Sequence, residues 1–190
     1  MNCKSYIILG VFIAFYSCKG KPSDNNYKYF NYGVYDWKSK QVTQYYDAIS
    51  YKATEVPLEY YLLKQIGNDS KLVDSISKEN SRERIVEFQF QHQDQKDLLL
   101  QEFTNKSYED AVKYMAFTIE KDFKVVTETN DTISCSGVHF ERNFKVAPYK
   151  KLLLYFNHID QKDNIKLIYN DQLFGNGLIN FSFKETPIEL

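Results

Sequence analysis

Arg84-Ile85-Val86-Glu87-Phe88-Gln89-Phe90-Gln91 decides the fold class. Val86, Phe88 and Phe90 alternate with polar residues, and a period of two puts them on one face of a half-buried strand. Asn80-Ser81 breaks the chain before this run, and the polar link His92 to Lys96 follows it. Further along, Lys151-Leu152-Leu153-Leu154-Tyr155-Phe156 is apolar on both sides, which predicts a strand covered on both faces and therefore inside a sheet. Phe123, Val125 and Thr127 run into Asn130-Asp131, and Thr132-Ile133-Ser134-Cys135 returns, a hairpin signal. Val138-His139-Phe140-Glu141 is expected to continue that returning strand past a bulge at Gly137, because the inward phase changes there. Ile165 to Tyr169 and Leu178 to Phe183 complete the strand series, with turns at Gln161-Lys162-Asp163 and Gly175-Asn176-Gly177.

Working back from Arg84, the period lengthens. Leu58, Tyr61, Leu62 and Ile66 lie on one side of a helix that starts after Pro57 and ends at Gly67-Asn68-Asp69. Leu72, Val73 and Ile76 add a further helical turn. Ser107 stands as a helix cap with Asp110 three residues on, and Tyr108, Val112, Met115 and Ala116 form the apolar stripe behind it. Helices early and strands late predict an α+β fold. Its antiparallel sheet is expected to come mainly from the C-terminal half, with two or three helices packed on one face. One domain, residues 27–190, is expected to hold all of it.

At the N-terminus, Lys4 precedes the uncharged run Tyr6 to Tyr16, then Ser17-Cys18 and the polar stretch Lys19 to Asn26. The run is far short of the ~20 residues that a membrane-spanning helix needs. Its length and charge order are those of a signal peptide. These residues resemble the signal of bacterial lipoproteins, whose cysteine is lipidated and becomes the first residue of the mature protein. The resemblance implies removal of residues 1–17, a lipid on Cys18 and a short tether to Asn26. It implies attachment to the cell envelope, and the basic Lys19 and Lys21 after Cys18 favour an outer-membrane lipoprotein facing the periplasm.

Composition sets outer limits. The net charge of −1 argues against nucleic acid as a partner, which needs a clustered basic face. Aromatic residues make up 16% of the chain, more than a solvated or disordered segment carries. Of the three cysteines, only Cys135 falls within the domain, so an internal disulfide has no second partner there.

Candidate chemistry is sparse. Cys135 and His139 invite a thiol–imidazole reading, but four residues along a strand are ~13 Å apart. His92, His139 and His158 fall in separate elements without metal-ligand spacing and are expected at the surface or at loop edges. No glycine loop of phosphate-binding pattern is present, and no cofactor is expected. Tyr27 to Tyr61 is crowded with rings that suit either an aromatic-rich core or a contact surface. Tyr35 and Trp37, with Phe174 in the Gly175-Asn176-Gly177 loop, are the candidate protein-interface residues. Asp74-Ser75-Ile76 and Asp131-Thr132-Ile133 resemble the acceptor motif of a bacterial periplasmic O-glycosylation system, which makes Ser75 and Thr132 candidate acceptors.

The expected function is a membrane-anchored, non-catalytic protein-binding module. Its concrete form would be an immunity protein against a toxin delivered to the periplasm. The alternatives are an accessory lipoprotein of a secretion or motility machine, and an envelope enzyme acting on glycans through Asp or Glu.

Overall fold

The computed structural model describes residues 26–143, 146–160, 162–184 and 187–190. The aromatic stretch after Asn26 forms three antiparallel strands, β1 (Tyr27–Tyr32), β2 (Tyr35–Tyr46) and β3 (Ile49–Val56). Tyr32 faces Tyr35 and Tyr46 faces Ile49, so both connections are two-residue hairpins. Their first loop residues, Gly33 (φ 60°) and Asp47 (φ 49°), take the left-handed conformation that such turns require.

Pro57 then stops β3, having no N–H to continue the ladder, and its carbonyl accepts from Tyr61 N at 3.2 Å to open α1 (Leu58–Ile66). α2 (Ser70–Glu79) is capped by Asp69, whose Oδ1 accepts from Leu72 N at 3.2 Å. The alternating run becomes β4 (Arg84–His92), followed by α3 (Gln101–Thr104) and α4 (Tyr108–Phe117). Ser107 caps α4 as its position predicts, with Oγ accepting from Asp110 N at 3.1 Å. The rest is β5 (Phe123–Val126), β6 (Thr132–Ser134), β7 (Gly137–Glu141), β8 (Tyr149–Phe156), β9 (Lys166–Asp171), β10 (Gly177–Ser182) and β11 (Ile188–Glu189).

These strands make two antiparallel sheets, which gives the α+β fold that the sequence predicts. The larger runs β1-β2-β3-β4-β8-β7, with β11 also on β2, and the smaller runs β10-β9-β5-β6. The N-terminal half therefore supplies β1 to β3 as well as the predicted β4, and the C-terminal emphasis of the sequence does not anticipate those first three strands. β8 lies between β4 and β7, the interior place that its two apolar faces predict.

Alternation along β4 sorts the core. Val86, Phe88 and Phe90 face the smaller sheet and pack with Leu152, Leu154, Phe123, Leu167, Tyr169 and Phe181. Ile85 faces the opposite way, and with Leu153, Val56, Trp37 and Phe30 it packs against Leu58, Leu62 and Leu63 of α1 and Val73 of α2. Each fully buried ring or aliphatic side chain in these layers contributes ~1.5–3 kcal/mol by leaving water. α1 and α2 do share one face of the larger sheet, whereas Ala111 and Met115 of α4 join the core on the other face.

The strand predicted from Thr132 through Glu141 divides in two. β6 pairs with β5 in the smaller sheet and β7 pairs with β8 in the larger. The crossing occurs at Cys135-Ser136, where Cys135 N donates to Phe123 O at 3.2 Å and Ser136 N to Tyr155 O at 2.8 Å. The phase change read as a bulge at Gly137 is this change of sheet.

Candidate functional site

A concavity forms where β3 ends. β1 covers one edge of β2 from Tyr35 to Lys40, and β3 covers the other edge only from Gln41 onward. Past Pro57 the place beside β2 is taken by β11, with Glu189 opposite Trp37 and Ile188 opposite Lys38. Leu190 N donates to Asp36 O at 2.8 Å and fixes this short strand. Between β11, the start of α1 and the start of β4 lies a cleft of about 530 Å³.

Its apolar lining comes from Trp37, Val56, Pro57, Leu58 and Pro187. Its carboxylates are Glu55, Glu59, Asp74, Glu83 and Glu189, against the two cations Arg84 and Lys162. Arg84 is held from several directions: Nε donates to Glu55 Oε1, Nη1 to Asp160 O at 2.7 Å and Nη2 to Asp163 O at 3.2 Å. The side chains of Arg84 and Glu55 are only 5% and 4% exposed, so this ion pair is buried. Among the described residues, Glu55 Oε2 has no hydrogen-bond partner. Burial pushes the Glu55 carboxyl above its ordinary value, and Arg84 pulls the other way. Glu59 Oε1 accepts from Ser77 Oγ at 2.7 Å, which ties α1 to α2 along the rim.

Of the candidate interface residues, Trp37 lines this cleft with a ring that is 4% exposed, so it belongs to the core layer under α1 and can meet a partner only through the cleft. Tyr35 is half-buried and stacks on it with ring centroids 5.8 Å apart. Phe174 is on the other side of the larger sheet, in the β9–β10 loop, packed on Phe90 at 5.7 Å and Tyr51 at 6.4 Å. The structure thus joins Tyr35 with Trp37 and separates both from Phe174. Ser75 is exposed on α2 and Thr132 is exposed at the start of β6. Cys18 lies outside the described residues.

Cys135 is half-buried, and its Sγ donates to Gly137 O at 3.0 Å. Burial pushes its thiol up, away from the thiolate that a nucleophile needs. His139 is exposed on β7 and His158 is exposed beside Ile159. His92 stands at a loop edge, one of the two expected places, but is buried there: it is 5% exposed, its Nδ1 accepts from Asp94 N at 3.0 Å, and its ring lies 5.1 Å from that of Phe103. A cap for the turn after β4 and an aromatic neighbour make it a satisfied core histidine.

The cleft was hidden in the sequence because its acids stand from Glu55 to Glu189, each in unremarkable local context. The one local signal was Pro57, which marks the end of a strand and the start of a helix. No family model, curated protein or solved structure matches the chain.

Proposed function

We propose that this is an envelope lipoprotein, acylated at Cys18 and facing the periplasm from the outer membrane, that binds a protein partner through the cleft at the end of the larger sheet. One observation carries the binding role: an apolar floor that includes Trp37 is ringed by Glu59, Asp74, Glu83 and Glu189, none of them ion-paired among the described residues. Partner recognition commonly combines an aromatic anchor with a polar rim in this way. Neutralising a toxin delivered to the periplasm is the specific role that suits a small anchored binding module. An accessory place in a secretion or motility machine uses the same cleft and anchor with a resident partner.

The test has two parts. A Cys18→Ser variant should lose lipidation and leave the membrane fraction, and retention with normal processing would refute the anchor. Asp74→Trp, which fills the cleft from an exposed helical position, should abolish co-purification of the partner from solubilised membranes. Retained co-purification would place the contact elsewhere.

The gathering of Glu55 and the rim carboxylates in one cleft favours a second reading, a glycan-acting enzyme in which two of these acids serve as acid and base. Glycan hydrolysis by the purified protein that disappears in Glu55→Gln would establish it over the binding role.

A further inference from the structure

We infer that the cleft receives the ammonium or guanidinium group of a lysine or arginine side chain presented by the partner protein. This rests on the cleft being the partner-contact surface, and it adds the chemistry of what enters. Five lining carboxylates face two lining cations, a local excess of three negative charges on a chain whose net charge is only −1. Arg84 is already committed to Glu55 and to two carbonyls, so it cannot neutralise the rim. An incoming cation would be the missing counter-charge.

A second observation comes from beneath the rim. Glu55 is 3% exposed, and its Oε2 is buried without a hydrogen-bond partner among the described residues. Buried polar atoms are almost always satisfied, so the unpartnered oxygen of Glu55, a residue that lines the cleft, adds poorly compensated negative charge beneath the rim. A cation seated over this wall acts through a poorly screened medium and stabilises the Glu55 carboxylate more than water would.

The lining also selects a cation with a hydrocarbon stem. Trp37, Pro57 and Pro187 offer apolar surface beside the carboxylates. A lysine or arginine lays its methylenes along such a surface while its head reaches the acids. A bare metal ion lacks that stem, and among the described residues no group of three or more potential ligands is arranged to hold one.

Trp37 is the only tryptophan in the chain, so its emission reports from the cleft itself. The full-length protein in detergent would be titrated with a short blocked peptide alternating valine with lysine, and with its glutamate counterpart. The lysine peptide should change Trp37 emission saturably, and added salt should weaken its binding. The double variant Asp74→Asn/Glu83→Gln should bind about tenfold more weakly. Neither position is buried, so its thermal unfolding should match wild type. Equal binding of the glutamate peptide, or no saturable change with lysine, overturns the inference.

Co-purification separates this failure from failure of the cleft as a contact surface. If Asp74→Trp loses the partner and the neutralised double variant keeps it, the cleft is the surface and the cation is refuted. If both keep the partner, the cleft itself is refuted. If both lose it and the lysine peptide binds, the inference stands.

Discussion

Tyr51 Oη donates to Asp171 Oδ2 at 2.8 Å, a buried hydrogen bond that ties β3 of the larger sheet to β9 of the smaller across 120 residues of sequence. Asp171 is 1% exposed, yet its charge is well served. Tyr169 Oη and Phe174 N each donate to Oδ1 at 2.9 Å, and Asn176 Nδ2 donates to Oδ2 at 3.1 Å and to Tyr51 Oη at 2.6 Å. One carboxylate therefore joins the sheets and shapes the β9–β10 loop, which is why Phe174 is a packing residue. Burial and the Asp171 charge push the Tyr51 and Tyr169 phenols far above their ordinary value.

Removing the phenol should cost less than removing the hub. Tyr51→Phe is expected to lower the unfolding free energy by ~1–2 kcal/mol. Asp171→Ala strands several buried donors at once and should cost at least about 3 kcal/mol. Urea unfolding of both variants checks this, and an Asp171→Ala loss no larger than that of Tyr51→Phe would contradict it.

Glu55 should make stability depend on pH in a direction opposite to that of a typical surface carboxylate. Burial raises its folded-state value above the ordinary 4.5, so the folded chain holds this proton more tightly than the unfolded chain does. That contribution is fully present below the unfolded value and is lost as pH rises through the raised folded value. Burial raises Asp122 as well, so the comparison must isolate Glu55. The unfolding free energy of wild type minus that of Glu55→Gln should fall as pH rises from near 4.5 toward neutrality. A flat or rising difference would show that Arg84 outweighs burial.

Trp37 and Tyr35 stack, but their costs of removal should differ. Trp37→Ala empties a packed position between β2 and α1 and is expected to cost ~3–5 kcal/mol. Tyr35→Ala removes a half-buried ring and should cost no more than ~2 kcal/mol. Thermal unfolding ranks them, and equal losses would place the packed ring at both positions.

The Cys135 thiol should label slowly in the folded protein and rapidly once denatured, because burial both shields it and pushes its ionisation up. Mass spectrometry resolves labelling at Cys135 from that at other cysteines. Equal rates in the two states would mean that the thiol is open to solvent.

Strand faces and helix ends were legible because they depend on neighbours in sequence. Alternation from Val86 to Phe90 fixed the inward face of β4, Ser107 fixed the start of α4, and Asn130-Asp131 and Gly175-Asn176-Gly177 fixed two turns. The first three strands are not legible in the sequence for a physical reason: Tyr, with an apolar ring and a polar tip, suits core, rim and interface alike. A period of two was present in Tyr35 and Trp37 but did not separate those roles.

The chain by itself determined which residues share a face and where the backbone must turn, since both follow from local geometry and sterics. Which sheet each strand joins was decided only by the tertiary structure. Thr132-Ile133-Ser134 and Val138-His139-Phe140 read as one strand, and they part because Phe123 and Tyr155, on different strands, offer the competing backbone partners. The cleft belongs to the same category. Glu55 meets Arg84 through the pairing of β3 with β4, and Glu189 arrives beside Trp37 only when the C-terminal strand lies on β2. Hydrogen-bond pairing between strands is non-local, and the energy that selects one partner over another comes from packing the completed core.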